Sequence, residues 1–196
     1  TKGDFSENSG QLFKEDVEEA KKLLEEGLKE EGLTEMPEFT ILYNTSEGHK
    51  KIAEAAQEMW RQAFGFTVQL ENVEFQVKLD REKAGEYDIS RAGWVGDYID
   101  PMTFLELWVT DGAYNDAKYS NPEYDALIQK SKEVLDPAER MTILHEAEEL
   151  LISEMPIVPI YFYTETYAVK DYVTGIYTPL NRYPQFIYAD VDMSKK

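Results

Sequence analysis

The sequence predicts an α/β fold with a mixed, mostly parallel sheet flanked by helices. Residues 39–43 and 66–70 are rich in the β-branched and aromatic residues that are typical of strands. Residues 49–64, between them, repeat apolar side chains at helical spacing. A helical crossover of this length favours parallel pairing of the two strands with a right-handed connection. With 196 residues, the chain is long enough for one sizeable domain with its own core.

Further elements of the amino-terminal half follow from apolar spacing and from glycines that end helices. An amphipathic helix is predicted over residues 13–31, with Gly32 as its terminator. A second crossover helix is expected over residues 75–83, followed by a strand over residues 87–92. The strand-helix alternation therefore continues through the first half of the chain.

Two helix starts mark the carboxy-terminal half, because Asn121 and Asp136 each precede a proline. An Asn or Asp cap with proline in the first turn is a typical helix beginning. The tail beyond residue 163 is aromatic and rich in turn residues, and its elements cannot be placed from the pattern. The predicted elements of this half are a short helix over 102–108, helices over 121–134 and 136–153, and a strand over 157–163.

The charge balance and the amino-acid usage exclude several function classes. The net charge of −19, from 39 acidic and 20 basic side chains, opposes binding to nucleic acid or to anionic lipid. We interpret most of this charge as a solvated surface. The absence of cysteine excludes disulfides, thiolate metal sites and cysteine nucleophiles. No cofactor is predicted.

The ends of the chain carry no targeting signal that we recognise. No window approaches 18 apolar residues, and the first residues lack the regions of a signal peptide. The chain opens without Met, as if in the middle of a loop. We therefore expect these 196 residues to be a segment of a longer protein.

Neither histidine supports a metal or catalytic site. His145 and Glu146 resemble the start of a zinc-protease helix, but Glu149 stands where the second histidine belongs. His49 opens a helix beside a glycine, and we interpret it as a surface residue. No metal site is predicted.

Residues 93–101 are the most informative stretch, because they combine Gly, Asp and aromatic residues after a predicted strand. Asp97 and Asp100 could be a glycosidase pair, although a turn residue and a helix cap explain them as well. In a second interpretation, Asp97 faces an aromatic wall of Trp94 and Tyr98 and binds a primary ammonium. In a third, Trp94 belongs to the core and Asp97 is a solvated turn residue, and composition alone does not decide between the last two.

The motif RAGWVGDYIDP at residues 91–101 resembles the oligopeptide-binding proteins, a branch of the peptide and nickel receptors of ABC importers. Three other stretches occur in the order that this family shows, so the resemblance covers nearly the whole chain. They are ILYN at 41–44, YSNPEYD at 119–125 and MPIVPIY at 155–161.

The resemblance implies a periplasmic-binding-protein-like lobe of a two-lobed receptor that closes on extended peptides. Residues 1–163 correspond to the second, carboxy-terminal lobe, and residues 164–196 to a return segment toward the first lobe. The family's aspartate that pairs with the peptide amino terminus corresponds to Asp97. A further family arginine has no clean match, because Glu82 stands there with Arg81 beside it. The ligand-binding residues implied in this way are Asp97, Trp94, Val95, Arg91, Tyr98, Tyr161 and Tyr163.

The function that the resemblance implies is capture of short peptides for an ABC permease, without catalysis. It also implies an extracytoplasmic location and a lipid anchor upstream, which would be the protein's contact with the membrane. The isolated lobe is expected to bind weakly and to self-associate through apolar surface. The alternatives are a receptor for a nickel chelate, a sugar or a heme, a glycoside or peptide hydrolase, and a structural interaction domain.

Overall fold

The computed structural model describes residue 5, residues 10–179 and residues 183–195. The chain divides into two compact units. We call residues 11–93 with 116–118 the sheet unit, and residues 94–115 with 119–196 and the first ten residues the helical unit. Each helix in the described ranges is too short or too polar to cross a bilayer.

A parallel sheet of three strands organises the sheet unit, with β1 between β2 and β3. Its order of strands and helices confirms the predicted α/β fold with parallel crossovers. The elements are α1 (Val17–Glu30), β1 (Thr40–Asn44), α2 (Glu47–Phe64), β2 (Gln69–Val73), α3 (Phe75–Ala84) and β3 (Ile89–Ser90).

The core of the sheet unit lies where β1 meets α2. Ile41 and Tyr43 are buried together with Ala53 of α2 and with Val68, which precedes β2. Gly65 ends α2 in the left-handed conformation, with φ of 82°, which glycine adopts without strain. The apolar side chains that recur along residues 49–64 therefore pack α2 against β1, as the sequence predicts.

Two predicted strand boundaries were wrong. The second strand begins at Gln69 rather than at residue 66, because the ladder starts where the Gln69 N–H donates to the Phe39 carbonyl at 2.9 Å. Phe66 lies before the strand, and its side chain stacks on Phe64 with ring centroids 5.6 Å apart. The strand predicted over 87–92 is reduced to β3, although the Arg91 N–H still donates to the Leu42 carbonyl.

The helical unit is built on two long helices with buried facing sides. Its caps are as predicted, since Asn121 Oδ1 accepts the Glu123 N–H at 2.8 Å and Asp136 Oδ1 accepts the Glu139 N–H at 2.8 Å. The elements are α4 (Met102–Leu105), a 3₁₀ turn (Glu106–Trp108), α5 (Pro122–Glu133), α6 (Pro137–Glu154) and the antiparallel pair β4 (Val173–Thr174) and β5 (Asp190–Val191).

Tyr124 of α5 ties these helices to α4. Its side chain is fully buried, and its hydroxyl donates to the Leu105 carbonyl at 2.6 Å. Burial raises the pKa of Tyr124, so this hydroxyl remains a donor. The buried residues around it are Met102, Leu105, Ile128, Leu144, Ala147 and Leu151.

The strand predicted over residues 157–163 is not present. Val158, Ile160 and Phe162 are all exposed, and Phe162 keeps 90% of its surface. A strand needs a neighbouring strand for its backbone, and this stretch belongs to neither of the two sheets in the described part of the chain. Pro159 also lacks the N–H that a ladder would use.

Candidate functional site

The candidate site is the segment of residues 94–101, which we call the site loop. Along the sequence it follows β3 and precedes α4. Apart from bends and one turn residue, it has no regular secondary structure. Gly96 packs closely on α4, since a Cβ placed there would lie 3.1 Å from Thr103 Cγ2 and 3.3 Å from Phe104 Cζ. Glycine therefore lets this loop approach the helix more closely than a larger residue would.

Asp97 is anchored through its backbone rather than its side chain. Its N–H donates to Thr103 Oγ1 at 3.0 Å, and Thr103 is buried. The residue as a whole is exposed. Within the described ranges, no hydrogen bond or ion pair engages its carboxylate, so both oxygens can accept donors from a ligand.

Asp100, three residues on, is engaged inside the protein. Its Oδ1 accepts the Met102 N–H at 2.9 Å, and its two oxygens bind the Arg140 guanidinium at 2.7 and 2.9 Å. The Arg140 hydrogen bonds hold the pKa of Asp100 below its ordinary value. The cap interpretation is therefore confirmed. A glycosidase acid needs a raised pKa, and Asp100 shows the opposite shift.

Tyr98 lies beside Asp97 with about half of its surface exposed, and its hydroxyl donates to Glu106 Oε1. Burial and this hydrogen bond raise the pKa of Tyr98 to about 12, with smaller contributions from the charges of Glu106, Asp100 and Asp97. The phenol is therefore neutral at physiological pH. Of the three acids, Asp100 is bound by Arg140 and Glu106 lies 3.9 Å from Lys132, so among the described residues Asp97 is the one of the three without a cation.

Trp94 is half-buried and meets Tyr114 edge to face, with ring centroids 4.9 Å apart. Its indole Nε1 is buried and has no acceptor among the residues that the structure describes. A buried donor without a partner costs about 1–3 kcal/mol. Because protein atoms enclose this N–H, a ligand oxygen reaches it only if the surrounding residues move. Val95, next to it, is also half-buried.

Arg91 belongs to the sheet unit, where it follows β3 at the carboxyl edge of the sheet. His49, at the start of α2, lies at the same edge, with Nδ1 2.8 Å from Asn44 Oδ1. Burial lowers the pKa of His49, and the charge of Arg91 lowers it further. His49 is thus a partly buried residue at the surface of the sheet unit, held by its contact with Asn44.

Glu82 faces the interior of the sheet unit. It forms a buried ion pair with Lys78, four residues earlier in α3, and accepts the Ser90 hydroxyl at 2.7 Å. Both side chains keep about 5% of their surface or less. Glu82 is thus engaged by internal contacts of the sheet unit.

Tyr161 and Tyr163 meet each other edge to face, with ring centroids 5.3 Å apart. Tyr161 is exposed and Tyr163 is half-buried, and both belong to the helical unit. Within the described ranges, no three His, Cys, Asp or Glu side chains are grouped so that they could hold a metal ion. The groups that the site loop offers a ligand are therefore the Asp97 carboxylate and the rings of Trp94 and Tyr98.

Comparison with known proteins defines the class to which this fold and loop belong. The family described as "Bacterial extracellular solute-binding proteins, family 5 Middle" matches residues 2–116, which is more than half of the chain. The chain therefore belongs to the family 5 bacterial extracellular solute-binding proteins.

Individual relatives agree with this class. The oligopeptide-binding protein OppA of Bacillus subtilis is 42% identical over 180 residues, which cover 89% of this chain and 33% of the relative. The crystal structure of the substrate-binding domain of an oligopeptide ABC transporter from Bacillus anthracis has a TM-score of 0.83 at 30% identity and covers 95% of this chain and 37% of its own. Haemophilus influenzae OppA in complex with RPPGFSPFR has a TM-score of 0.72 at 38% identity and covers 85% and 34%. The chain thus spans about a third of the length of these relatives.

Proposed function

We propose that this chain is one lobe of an extracytoplasmic receptor that captures short peptides for an ABC importer. In this proposal, the Asp97 carboxylate pairs with the ammonium group at the peptide amino terminus. Trp94, Val95 and Tyr98 line the space beside it. The relatives named above support the peptide class. One is named an oligopeptide-binding protein, one is the substrate-binding domain of an oligopeptide ABC transporter, and one is described in complex with RPPGFSPFR.

The contrast between the two aspartates of the site loop carries this proposal. Asp100 is fully engaged by Arg140 and Met102, whereas the carboxylate of Asp97 is exposed and engaged by no described residue. A free carboxylate beside aromatic rings suits a primary ammonium, because the rings exclude water once the ligand is bound.

The remaining features of the whole receptor extend the proposal. Residues 1–163 form the second lobe, and residues 164–196 return toward the first lobe, although residues 1–4, 6–9, 180–182 and 196 lie outside the described residues. Arg91, Tyr161 and Tyr163 contribute to the peptide groove. The receptor lies outside the cytoplasm, is held by an upstream lipid anchor, delivers peptide to the permease and catalyses no reaction. Lobe closure by hinge motion traps the ligand.

Other ligand classes within the family make different predictions. A receptor for a nickel chelate, a sugar or a heme does not recognise a peptide amino terminus, so it would not distinguish a free-amine peptide from its acetylated form. A hydrolase would release products from a peptide or glycoside. The pairing of Asp100 with Arg140 argues against hydrolysis by the two aspartates.

An amide-shift titration of the 196-residue chain with di- to pentapeptides tests the proposal. We expect the amide signals of the site loop to shift with free-amine peptides and not with their N-acetylated forms. The matched control is Asp97→Asn, which keeps the backbone bond to Thr103 and removes the charge.

Half of a groove binds weakly, because the chain supplies only part of the contacts. A chimera in which residues 1–196 replace the matching segment of the Bacillus subtilis relative supplies the rest. Binding that ignores both N-acetylation and Asp97→Asn in this chimera would contradict the role of Asp97.

A further inference from the structure

We propose that Arg140 of α6 is a positioning residue for the site loop, which holds Asp97 where it meets the ligand. This inference rests on the proposed function, since it concerns the same ammonium site. Arg140 does not belong to the loop and is separated from Asp97 by more than 40 positions in the sequence. Its guanidinium nevertheless binds Asp100, which belongs to the site loop.

Arg140 joins three parts of the helical unit. Its Nη1 and Nη2 donate to Asp100 Oδ2 and Oδ1 at 2.7 and 2.9 Å, and its Nε donates to the Ser131 carbonyl of α5 at 3.1 Å. Both partners of the ion pair keep only about a quarter of their side-chain surface. A two-pronged guanidinium-carboxylate contact fixes direction as well as distance, which a single contact does not.

Two short hydrogen-bonded steps lead from Asp100 to Asp97. The Asp100 carbonyl accepts the Thr103 N–H at 3.1 Å, and Thr103 Oγ1 accepts the Asp97 N–H at 3.0 Å. The Asp100 N–H donates to the Tyr98 carbonyl at 3.0 Å. Asp100 therefore contacts the residues on both sides of the turn that presents Asp97.

The elements that Arg140 links to the loop pack around a buried core. Helices α5 and α6 share the core around Tyr124, which is fully buried. The site loop lacks regular backbone pairing, so its shape depends on these few contacts. A binding carboxylate needs such support, because a site held loosely loses affinity to the entropy of ordering it.

A double-mutant cycle measures this role directly. Arg140→Gln is combined with Asp97→Asn, and each protein is titrated with a free-amine tripeptide and its N-acetylated form. The titrations use amide shifts in the chain itself and calorimetry in the chimera. We expect Arg140→Gln to weaken binding of the free-amine peptide about tenfold, because a displaced Asp97 would lose most of its charged hydrogen bond to the ammonium. The acetylated peptide should bind the variant as it binds the unmodified protein.

The cycle compares the effect of Arg140→Gln on peptide affinity with and without Asp97→Asn. This comparison distinguishes a role in positioning Asp97 from a role in the stability of the fold. If Arg140 acts through Asp97, then Arg140→Gln causes no further loss in the Asp97→Asn background. A purely structural role would weaken both peptides equally in both backgrounds, and this result would overturn the inference.

Two further variants keep the test interpretable. Arg140→Lys retains the charge but not the two-pronged contact, so we expect an intermediate loss, and it carries the cycle if Arg140→Gln does not fold. Arg61→Gln is the matched control, because Arg61 also makes a two-pronged contact, through Nε and Nη2, with Glu58 on the exposed face of α2. This control should leave both peptide affinities unchanged.

The outcomes also distinguish this inference from the proposed function. Loss of the free-amine preference in Asp97→Asn but not in Arg140→Gln would refute the positioning role alone. Retention of that preference in Asp97→Asn would refute the ammonium site, and the inference with it.

Discussion

Glu82 and Asp97 occupy opposite kinds of environment in this molecule. Glu82 is buried in the sheet unit, where it contacts Lys78 and Ser90. Asp97 is exposed in the helical unit, and no described residue engages its carboxylate. The two residues have the same formal charge, yet only one of them has its charge satisfied within its own unit.

This difference separates an acid that stabilises the fold from an acid suited to binding. A buried carboxylate without its partner is strongly unfavourable, so Glu82 needs Lys78. An exposed carboxylate is stabilised by water and gains from a cation only when water is excluded. Substitutions at the two places should therefore affect different measurements.

The largest expected effect on stability is that of Lys78→Met. It leaves the Glu82 charge buried without its cation, which should lower the free energy of unfolding by about 3–5 kcal/mol. Urea unfolding followed by circular dichroism measures the loss. The double variant with Glu82→Leu should recover most of it, whereas equal losses in the single and double variants would contradict the account.

Asp100→Asn should lower the free energy of unfolding by about 1–3 kcal/mol at neutral pH, because it removes the charged partner of Arg140. The pKa of Asp100 lies below the ordinary value of 3.8 in the folded chain. Its stabilising contribution is therefore complete above that value and disappears as the pH falls through the lower folded pKa. Unfolding curves of both proteins should converge in acid, and a difference that persists there would have another cause.

Gly96→Ala should destabilise the chain by about 1 kcal/mol, because the new Cβ would press on Thr103 and Phe104. Gly27→Ala in α1 is the matched control. Nothing lies within 4 Å of a Cβ at that position, so the helix should gain about 0.5–1 kcal/mol instead. Thermal unfolding of the two variants should shift in opposite directions.

Asp97→Asn should have the smallest effect on folding, within about 0.5 kcal/mol, as is usual for an exposed site. Its effect should appear in peptide affinity alone. A large loss of stability on urea unfolding would show that the Asp97 carboxylate contributes to the fold, contrary to its exposed position.

Much of the fold could be predicted because local signals and tertiary contacts agree. The caps at Asn121 and Asp136 use the side chains that the sequence indicated. The parallel crossover followed from apolar spacing in α2. Asp100 could be predicted as a helix cap, because the signal, an Asp directly before a proline, lies in adjacent residues.

The features that could not be predicted depend on partners distant in sequence. The Lys78–Glu82 pair has the same spacing as the exposed Lys50–Glu54 pair of α2, and burial alone distinguishes them. Arg140 meets Asp100 across 40 positions, which no local pattern reveals. Residues 157–163 alternate like a strand, but a strand also requires a neighbour for its backbone.

The role of Asp97 is the central claim, and calorimetry of the chimera with one tripeptide tests it most directly. The tripeptide is used with a free and with an acetylated amino terminus, on the unmodified protein and on Asp97→Asn. We predict that acetylation weakens binding to the unmodified protein about tenfold to a hundredfold and changes binding to Asp97→Asn little. An equal cost of acetylation in both proteins would contradict the account, because the ammonium would then be recognised elsewhere.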